Sequence, residues 1–180
     1  QDAVLEAGPG TRLTGNILSD QAAQVRLGGG ESGGLTAPRA ADLGDSAAPE
    51  TVYTGSVHAA QASMQVQDNT HWIVTGDSAL GRLQANKALL RFEDTDRTRT
   101  AYTLTADTLA ATDSTLVFRV DPNGGDHDRL TVTTGLSGGG NRLRITEFGD
   151  RPASAAPVAR EDLLLSAPAS APADLFQLEQ

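Results

Sequence analysis

"TGNILSDQAAQVRL", residues 14–27, returns at residues 54–66 as "TGSVHAAQASMQV". Both open with Thr-Gly, place an apolar residue fourth (Ile17, Val57) and carry a Gln-Ala pair further on (Gln21-Ala22, Gln61-Ala62). The offset from Thr14 to Thr54 is 40 residues, and a third Thr-Gly opens "TGDSALGRL" at Thr75, 21 residues after Thr54. These spacings fit a unit of about 20 residues, counted once and then twice. A recurring β unit of that size predicts a solenoid, because each coil can bury its apolar side only by stacking on the next. A β-sandwich also has many short strands but needs no recurrence, so the solenoid leads.

The rest of the chain supports β structure. Apolar residues alternate with polar ones in "TVYTGSV" (51–57), "HWIVTG" (71–76), "STLVFRV" (114–120), "RLTVTT" (129–134) and "NRLRIT" (141–146). Period-two alternation rich in β-branched residues predicts strands, here of about five residues. Turn formers separate them: "GGGESGG" (28–34), "GD" (76–77), "DPNGG" (121–125) and "SGGG" (137–140). Helical periodicity is nearly absent. Residues 28–50, 149–162 and 166–174 are rich in Gly, Ala, Ser and Pro and predict loops leaving the coils; 28–50 and 149–162 are the candidate contact surfaces.

Composition narrows the role. The 180 residues suffice for one domain, and Asp and Glu (23) exceed Lys and Arg (14), giving a formal charge of −9. That balance disfavours phosphate backbones and anionic membrane surfaces. Cysteine is absent, which suits a chain that crosses an oxidising compartment. Aromatics are only 4%, so the core is expected to be small and aliphatic.

From Trp72 onward the order of elements resembles a known family. "HWIVTGDSALGRLQANKALLRF" (71–92) is similar to a coil of pertactin-like autotransporter passengers. "YTLTADTLAATDSTLVFRVDPNGGDHDRLTVTTGLSGGGNRLRI" (102–145) is similar to the segment that follows there: a strand, an F-x-x-x-V-D strand, a loop, D-x-L-x-V and a Gly-rich turn. Residues 147–180 resemble its closing part. The resemblance implies a right-handed parallel β-helix at the bacterial surface, reached through the periplasm by type V secretion. It implies a longer parent chain with a signal peptide before and an outer-membrane barrel after. It also implies an autochaperone role for the C-terminal coils, which fold first and template the rest.

On this reading one continuous domain comprises coils 1–70, interrupted by the loop at 28–50, and a cap or autochaperone region 71–180. Leu130 and Val132 should face in, with Thr131 and Thr133 facing out; Leu116, Phe118 and Val120 should also face in. Trp72, Leu163, Leu164, Leu165 and Phe176 are expected to form a well-packed terminal core.

Four sets of residues are weighed for chemistry. "DPNGGDHDRL" (121–130) clusters Asp121, Asn123, Asp126 and Asp128, but an EF-hand starting at Asp121 would need an acidic twelfth residue and finds Val132. The calcium nonapeptide would need a further glycine after Gly124-Gly125 and finds Asp126-His127. His58, His71 and His127 lack metal-ligand spacing. Glu93, Asp94 and Asp96, interleaved with Arg91, Arg97 and Arg99, could serve a polysaccharide-active β-helix enzyme, yet read more simply as a solvated turn. No Gly-x-Ser-x-Gly occurs. The expectation is a non-enzymatic passenger segment with no catalytic, metal or cofactor site. It would be a stem and folding scaffold of an adhesin, monomeric, and presented to a host-surface or extracellular protein and not to nucleic acid. The rival readings are the polysaccharide-active enzyme and a β-sandwich adhesin module.

Overall fold

The computed structural model describes residues 3–29, 50–94, 101–121, 126–147, 164–172 and 174–179. Its strands, in chain order, are β1 (Ala3–Ala7), β2 (Arg12–Thr14), β3 (Ile17–Leu18), β4 (Ala23–Leu27), β5 (Thr51–Thr54) and β6 (Val57–Gln67). There follow β7 (Thr70–Val74), β8 (Ser78–Asn86), β9 (Leu89–Phe92), β10 (Thr103–Thr112) and β11 (Thr115–Val120). The last are β12 (Arg129–Gly139), β13 (Asn141–Glu147), β14 (Leu165–Ser166) and β15 (Phe176–Leu178). One sheet runs β1-β4-β6-β8-β10-β12-β14, with β3 also on β6; the other runs β15-β13-β11-β9-β7-β5-β2.

Every strand pair in both sheets is parallel. The chain therefore alternates between two sheets and returns to each one step further along. This is a parallel β-helix, and the antiparallel sandwich is excluded. Each step places a residue against its counterpart in the next coil, about 4.8 Å away.

The register corrects the repeat count. Thr14 pairs directly with Thr54 and Ile17 with Val57, so the offset of 40 is a single coil, not two. The surplus over a bare coil falls between Leu27 and Thr51, a span mostly outside the described residues. Bare coils advance 19 residues from Val52 to His71 and 18 from His71 to Leu89. Later coils are longer: 26 residues from Leu89 to Thr115 and 27 from Thr115 to Arg142. The third Thr-Gly is not in strand register either. Thr54 pairs with Ile73, and the 21-residue step holds only past the corner, where His58 pairs with Ala79.

Four strands of the first sheet, β6, β8, β10 and β12, are longer than five residues, and β6, β8 and β10 each turn a corner without leaving the sheet. In β6 the buried residues are Val57 and Ala59, then Ala62, Met64 and Val66, so the inward phase switches at Ala60-Gln61. The same switch occurs at Gly81-Arg82 in β8 and Asp107-Thr108 in β10. Register slips lie there too, between Ala59 and Ser63 and between Ala106 and Thr108. Gly81 allows the tight approach: a Cβ there would lie 2.8 Å from the Ala60 carbonyl oxygen. "SGGG" is also only partly a turn. Gly138 and Gly139 end β12, and Gly140 alone occupies the corner.

Inward residues stack in ladders. In the second sheet Leu13, Tyr53, Trp72, Leu90, Leu116, Leu143 and Leu178 follow one another. In the first, Leu5, Val25, Met64, Leu83, Leu109 and Leu136 do so. Each fully buried aliphatic side chain removes enough apolar surface to contribute about 1.5–3 kcal/mol before entropy is counted. Leu130, Val132, Leu116 and Phe118 are buried as expected, Val120 is partly buried against the core, and Thr133 is exposed. The ladders end openly, with Leu5 (38%) and Leu178 (60%) exposed. Trp72 is buried at mid-rod, Leu164 is buried, Phe176 is only partly covered, and Leu163 lies outside the described residues.

Candidate functional site

The carboxylate-rich turn of residues 121–130 contains the most organised polar cluster. β11 ends at Val120 and β12 begins at Arg129, so the turn carries the chain from one sheet to the other. Val120 and His127 form an antiparallel bridge, and the Asp121 amide donates to the Asp126 carbonyl at 2.7 Å, closing the base of the turn. Residues 122–125, Asn123 among them, lie outside the described residues.

Asp128 is completely buried and Arg119 is 8% exposed. One carboxylate oxygen, Oδ2, accepts from the Arg119 amide and from its Nε, both at 2.8 Å. The other, Oδ1, accepts from Arg119 Nη2 and from the Tyr102 amide, both at 2.9 Å. A carboxylate offers about four lone-pair positions, and these four donors occupy them. The Asp128 amide in turn donates to the Arg119 carbonyl, and the guanidinium sits over the Tyr102 ring, 5.3 Å from its centroid. Fork-on-carboxylate geometry of this kind fixes direction as well as distance. With its oxygens so engaged, Asp128 clasps the end of β11 and the Tyr102 backbone together.

The other candidates do not converge. Asp126 is exposed, and His127 Nε2 lies 3.1 Å from Arg129 Nη2. His58 is exposed on β6, and His71, half-buried on β7, contacts the Glu50 carboxylate. Glu93 pairs with Arg91 at 2.6 Å, both about half exposed. Asp96, Arg97 and Arg99 lie outside the described residues. Among the described residues no group of three His, Asp or Glu side chains is placed to hold a metal.

The buried serines serve the backbone. Ser78 Oγ accepts from the Val57 amide and donates to the Gly76 carbonyl. Ser114 Oγ accepts from the Ala88 amide and donates to the Thr112 carbonyl. A hydroxyl whose proton and lone pair are both engaged in coil corners is not poised as a nucleophile. Asn141, 1% exposed, accepts from the Ser114 amide and donates to the carbonyls of Ala111 and Leu175. The single proton of Tyr53 Oη has two carbonyls within hydrogen-bond reach, Ser56 at 2.8 Å and Gly15 at 3.0 Å. Burial pushes its pKa up to about 12.

Sequence reasoning named Asp128 but missed Arg119, Asn141 and the serines. Arg119 follows an inward Phe118 and reads as a solvated outward residue. The available signal was an opposite charge nine positions later across a turn too short to separate the two.

No family model matches the chain. Serine protease EspP of Escherichia coli O157:H7 is 33% identical over 144 residues, covering 78% of this chain and 11% of its own length. The serine protease Sat autotransporter of E. coli O6:H1 is 29% identical over 168 residues, covering 92% of this chain and 12% of its own. The serine protease Pet autotransporter of E. coli O44:H18 is 30% identical over 169 residues, covering 93% and 12%. The chain thus spans only 11–12% of the length of these relatives.

Proposed function

We propose that this segment of an autotransporter passenger is a rod-forming stem and a folding seed, and that it carries no catalytic step of its own. The supporting observation is the unbroken parallel pairing from β1 to β14 in one sheet and from β2 to β15 in the other. Such a stack transmits register from coil to coil, so each finished coil offers its edge as a template for the next. The protease activity in the names of the relatives belongs, on this reading, to the part of those chains outside the matched 11–12%. The parent would be exported by type V secretion, tethered through an outer-membrane barrel and exposed at the cell surface or released. A host-surface or extracellular protein would be met by loops rather than by the ladders.

Seeding by the coils from residue 71 onward draws support from what they contain. Trp72, Phe92 and Phe118 fill the interior there, Phe92 and Phe118 with ring centroids 5.4 Å apart, and the Arg119–Asp128 clasp joins the two sheets. The buried hydrophobic residues of the first coil are, by contrast, the smaller Ala7, Ala23, Val25 and Leu27. Native-state hydrogen exchange tests the seed. Amides of β8, β10 and β12 should exchange through the largest opening free energies, and those of β1 and β4 through smaller ones. Equal protection across the rod would remove the seed reading and leave only the stem.

A further inference from the structure

We infer that the Arg119–Asp128 clasp is a register lock, made in the folding transition state of the C-terminal coils before the strands it joins are paired. The inference rests on the seed reading and deepens it.

The argument begins with separation along the chain. Arg119 and Asp128 are nine residues apart, whereas the ladder pairs beside them are 26 or 27 apart. Closing the shorter loop costs less chain entropy, so this contact is available before strand pairing. Opposite charges draw the two ends together over a longer range than apolar contact does. Once made, the clasp presents three fixed groups. The Asp128 Oδ1 waits for the Tyr102 amide, 26 residues earlier in the previous coil. The Arg129 amide then donates to the Tyr102 carbonyl, and the guanidinium meets the Tyr102 ring. Together these set Leu130 against Leu104 and start the β10–β12 ladder.

The lock also discriminates. In a parallel sheet a slip of one residue turns every side chain to the opposite face. Such a slip would take the Asp128 carboxylate off the Tyr102 amide and leave it buried with an acceptor position empty, which is costly. A slip of two residues keeps the faces, and against it ladders of Leu, Val and Ala discriminate poorly because their members resemble one another, whereas the Asp128 carboxylate would still lose the Tyr102 amide. A buried ion pair contributes little net stability compared with apolar replacements, so a role in specificity fits this pair better than a role in stability.

Refolding of the 180-residue chain from denaturant, followed by fluorescence of its single tryptophan, Trp72, and by far-ultraviolet circular dichroism, tests the lock. The double variant Arg119→Met/Asp128→Leu should refold at least about tenfold more slowly, while its unfolding rate changes less than about twofold. Unchanged refolding with faster unfolding would overturn the lock and make the pair ordinary packing. If the double variant does not fold, Arg119→Lys decides: it keeps the charge and loses the fork, and should refold about threefold more slowly. Wild-type refolding by Arg119→Lys overturns the proposal. Pulse-labelled hydrogen exchange on the wild-type chain separates the two ideas. Earliest protection in β1 and β4 would sink the seed reading and the lock with it. Earliest protection in β10–β12, with wild-type refolding of the double variant, would sink the lock alone.

Discussion

Tyr53 stacks on Trp72, one coil further on, with ring centroids 6.2 Å apart and planes inclined by 26°. Both side chains are buried, and both turn their polar atoms to the corner: Tyr53 Oη to the Ser56 carbonyl and Trp72 Nε1 to the Gly55 carbonyl at 3.1 Å. Two aromatic rings in a rod filled mostly with aliphatic side chains therefore serve as core and corner at once.

An alkaline transition follows. The Tyr53 hydroxyl has its pKa pushed up to about 12 by burial, against about 10 for an exposed tyrosine. A pKa raised in the folded state means that its stabilising effect is complete below pH 10. That effect is lost as pH rises towards 12, because the unfolded chain ionises first. The loss amounts to roughly 3 kcal/mol over that window. Denaturant midpoints measured from pH 8 to 12 should fall more steeply for the wild type than for Tyr53→Phe. The variant itself should cost about 1 kcal/mol at neutral pH. Parallel curves would show that Tyr53 ionises as freely folded as unfolded.

Neighbouring glycines should respond very differently to a methyl group. Gly138 has φ +120°, and a Cβ there would lie 1.7 Å from the carbonyl oxygen of Ala111, its partner in the previous coil. Gly139, next in the strand, faces open space. Gly138→Ala should cost about 3 kcal/mol or more, since backbone must move. Gly139→Ala should stay within about 0.5 kcal/mol of wild type. Equilibrium unfolding of the two variants checks the contrast, and equal costs would contradict the packing at this corner.

The carboxylate-rich turn of residues 121–130 should give a null calcium titration. Asp128 has its carboxylate oxygens occupied by Arg119 and Tyr102, Asp126 stands exposed, and among the described residues no three His, Asp or Glu side chains are grouped to hold an ion. A ligand that binds only the folded state raises its melting temperature in proportion to occupancy. Millimolar calcium should therefore move the midpoint by less than about 1 °C. A rise of several degrees would mean that the turn holds a cation after all.

The parts of this fold that were legible in the sequence are those with period two. Leu116, Phe118, Leu130 and Val132 alternate cleanly and point inward as expected. The repeat at Thr14 and Thr54 was also legible, and it is exact to the residue in Thr14–Thr54 and Ile17–Val57. Its meaning was not legible, because the extra residues between Leu27 and Thr51 lengthen one coil by an amount close to a whole coil. The corner of the first sheet was hidden for a related reason. Two consecutive outward residues, Ala60-Gln61 or Gly81-Arg82, look like the end of a strand, although parallel pairing resumes on their far side. Arg119 was hidden because alternation assigns it to solvent, and only the fold of Asp128 back over it produces its burial. Polar side chains at corners carry no period at all, so Ser78, Ser114 and Asn141 could be identified only once the coils were stacked.

Asn141 is the corner residue whose loss should be felt furthest. Its amide group joins three successive coils: it donates to Ala111 behind at 2.8 Å and to Leu175 ahead at 3.2 Å, and accepts from the Ser114 amide at 3.0 Å. All three bonds are buried, so removing the side chain leaves backbone groups without partners where water cannot replace them. Asn141→Ala should cost about 2–4 kcal/mol, while Ser114→Ala, which removes one bond to the previous coil and one within its own corner, should cost about 1–2 kcal/mol. Asn141→Asp is the sharper test. It keeps the shape and the acceptor for Ser114, but turns a negative oxygen toward the Ala111 and Leu175 carbonyls. At pH 7 it should be at least as damaging as alanine. Below about pH 4, where the new carboxyl can protonate and donate one bond, it should regain part of the loss. Hydrogen exchange should place the damage in β13 and β15, the strands ahead of the corner, before it reaches β11. An Asp variant as stable as wild type at neutral pH would mean that the two carbonyls do not depend on Asn141.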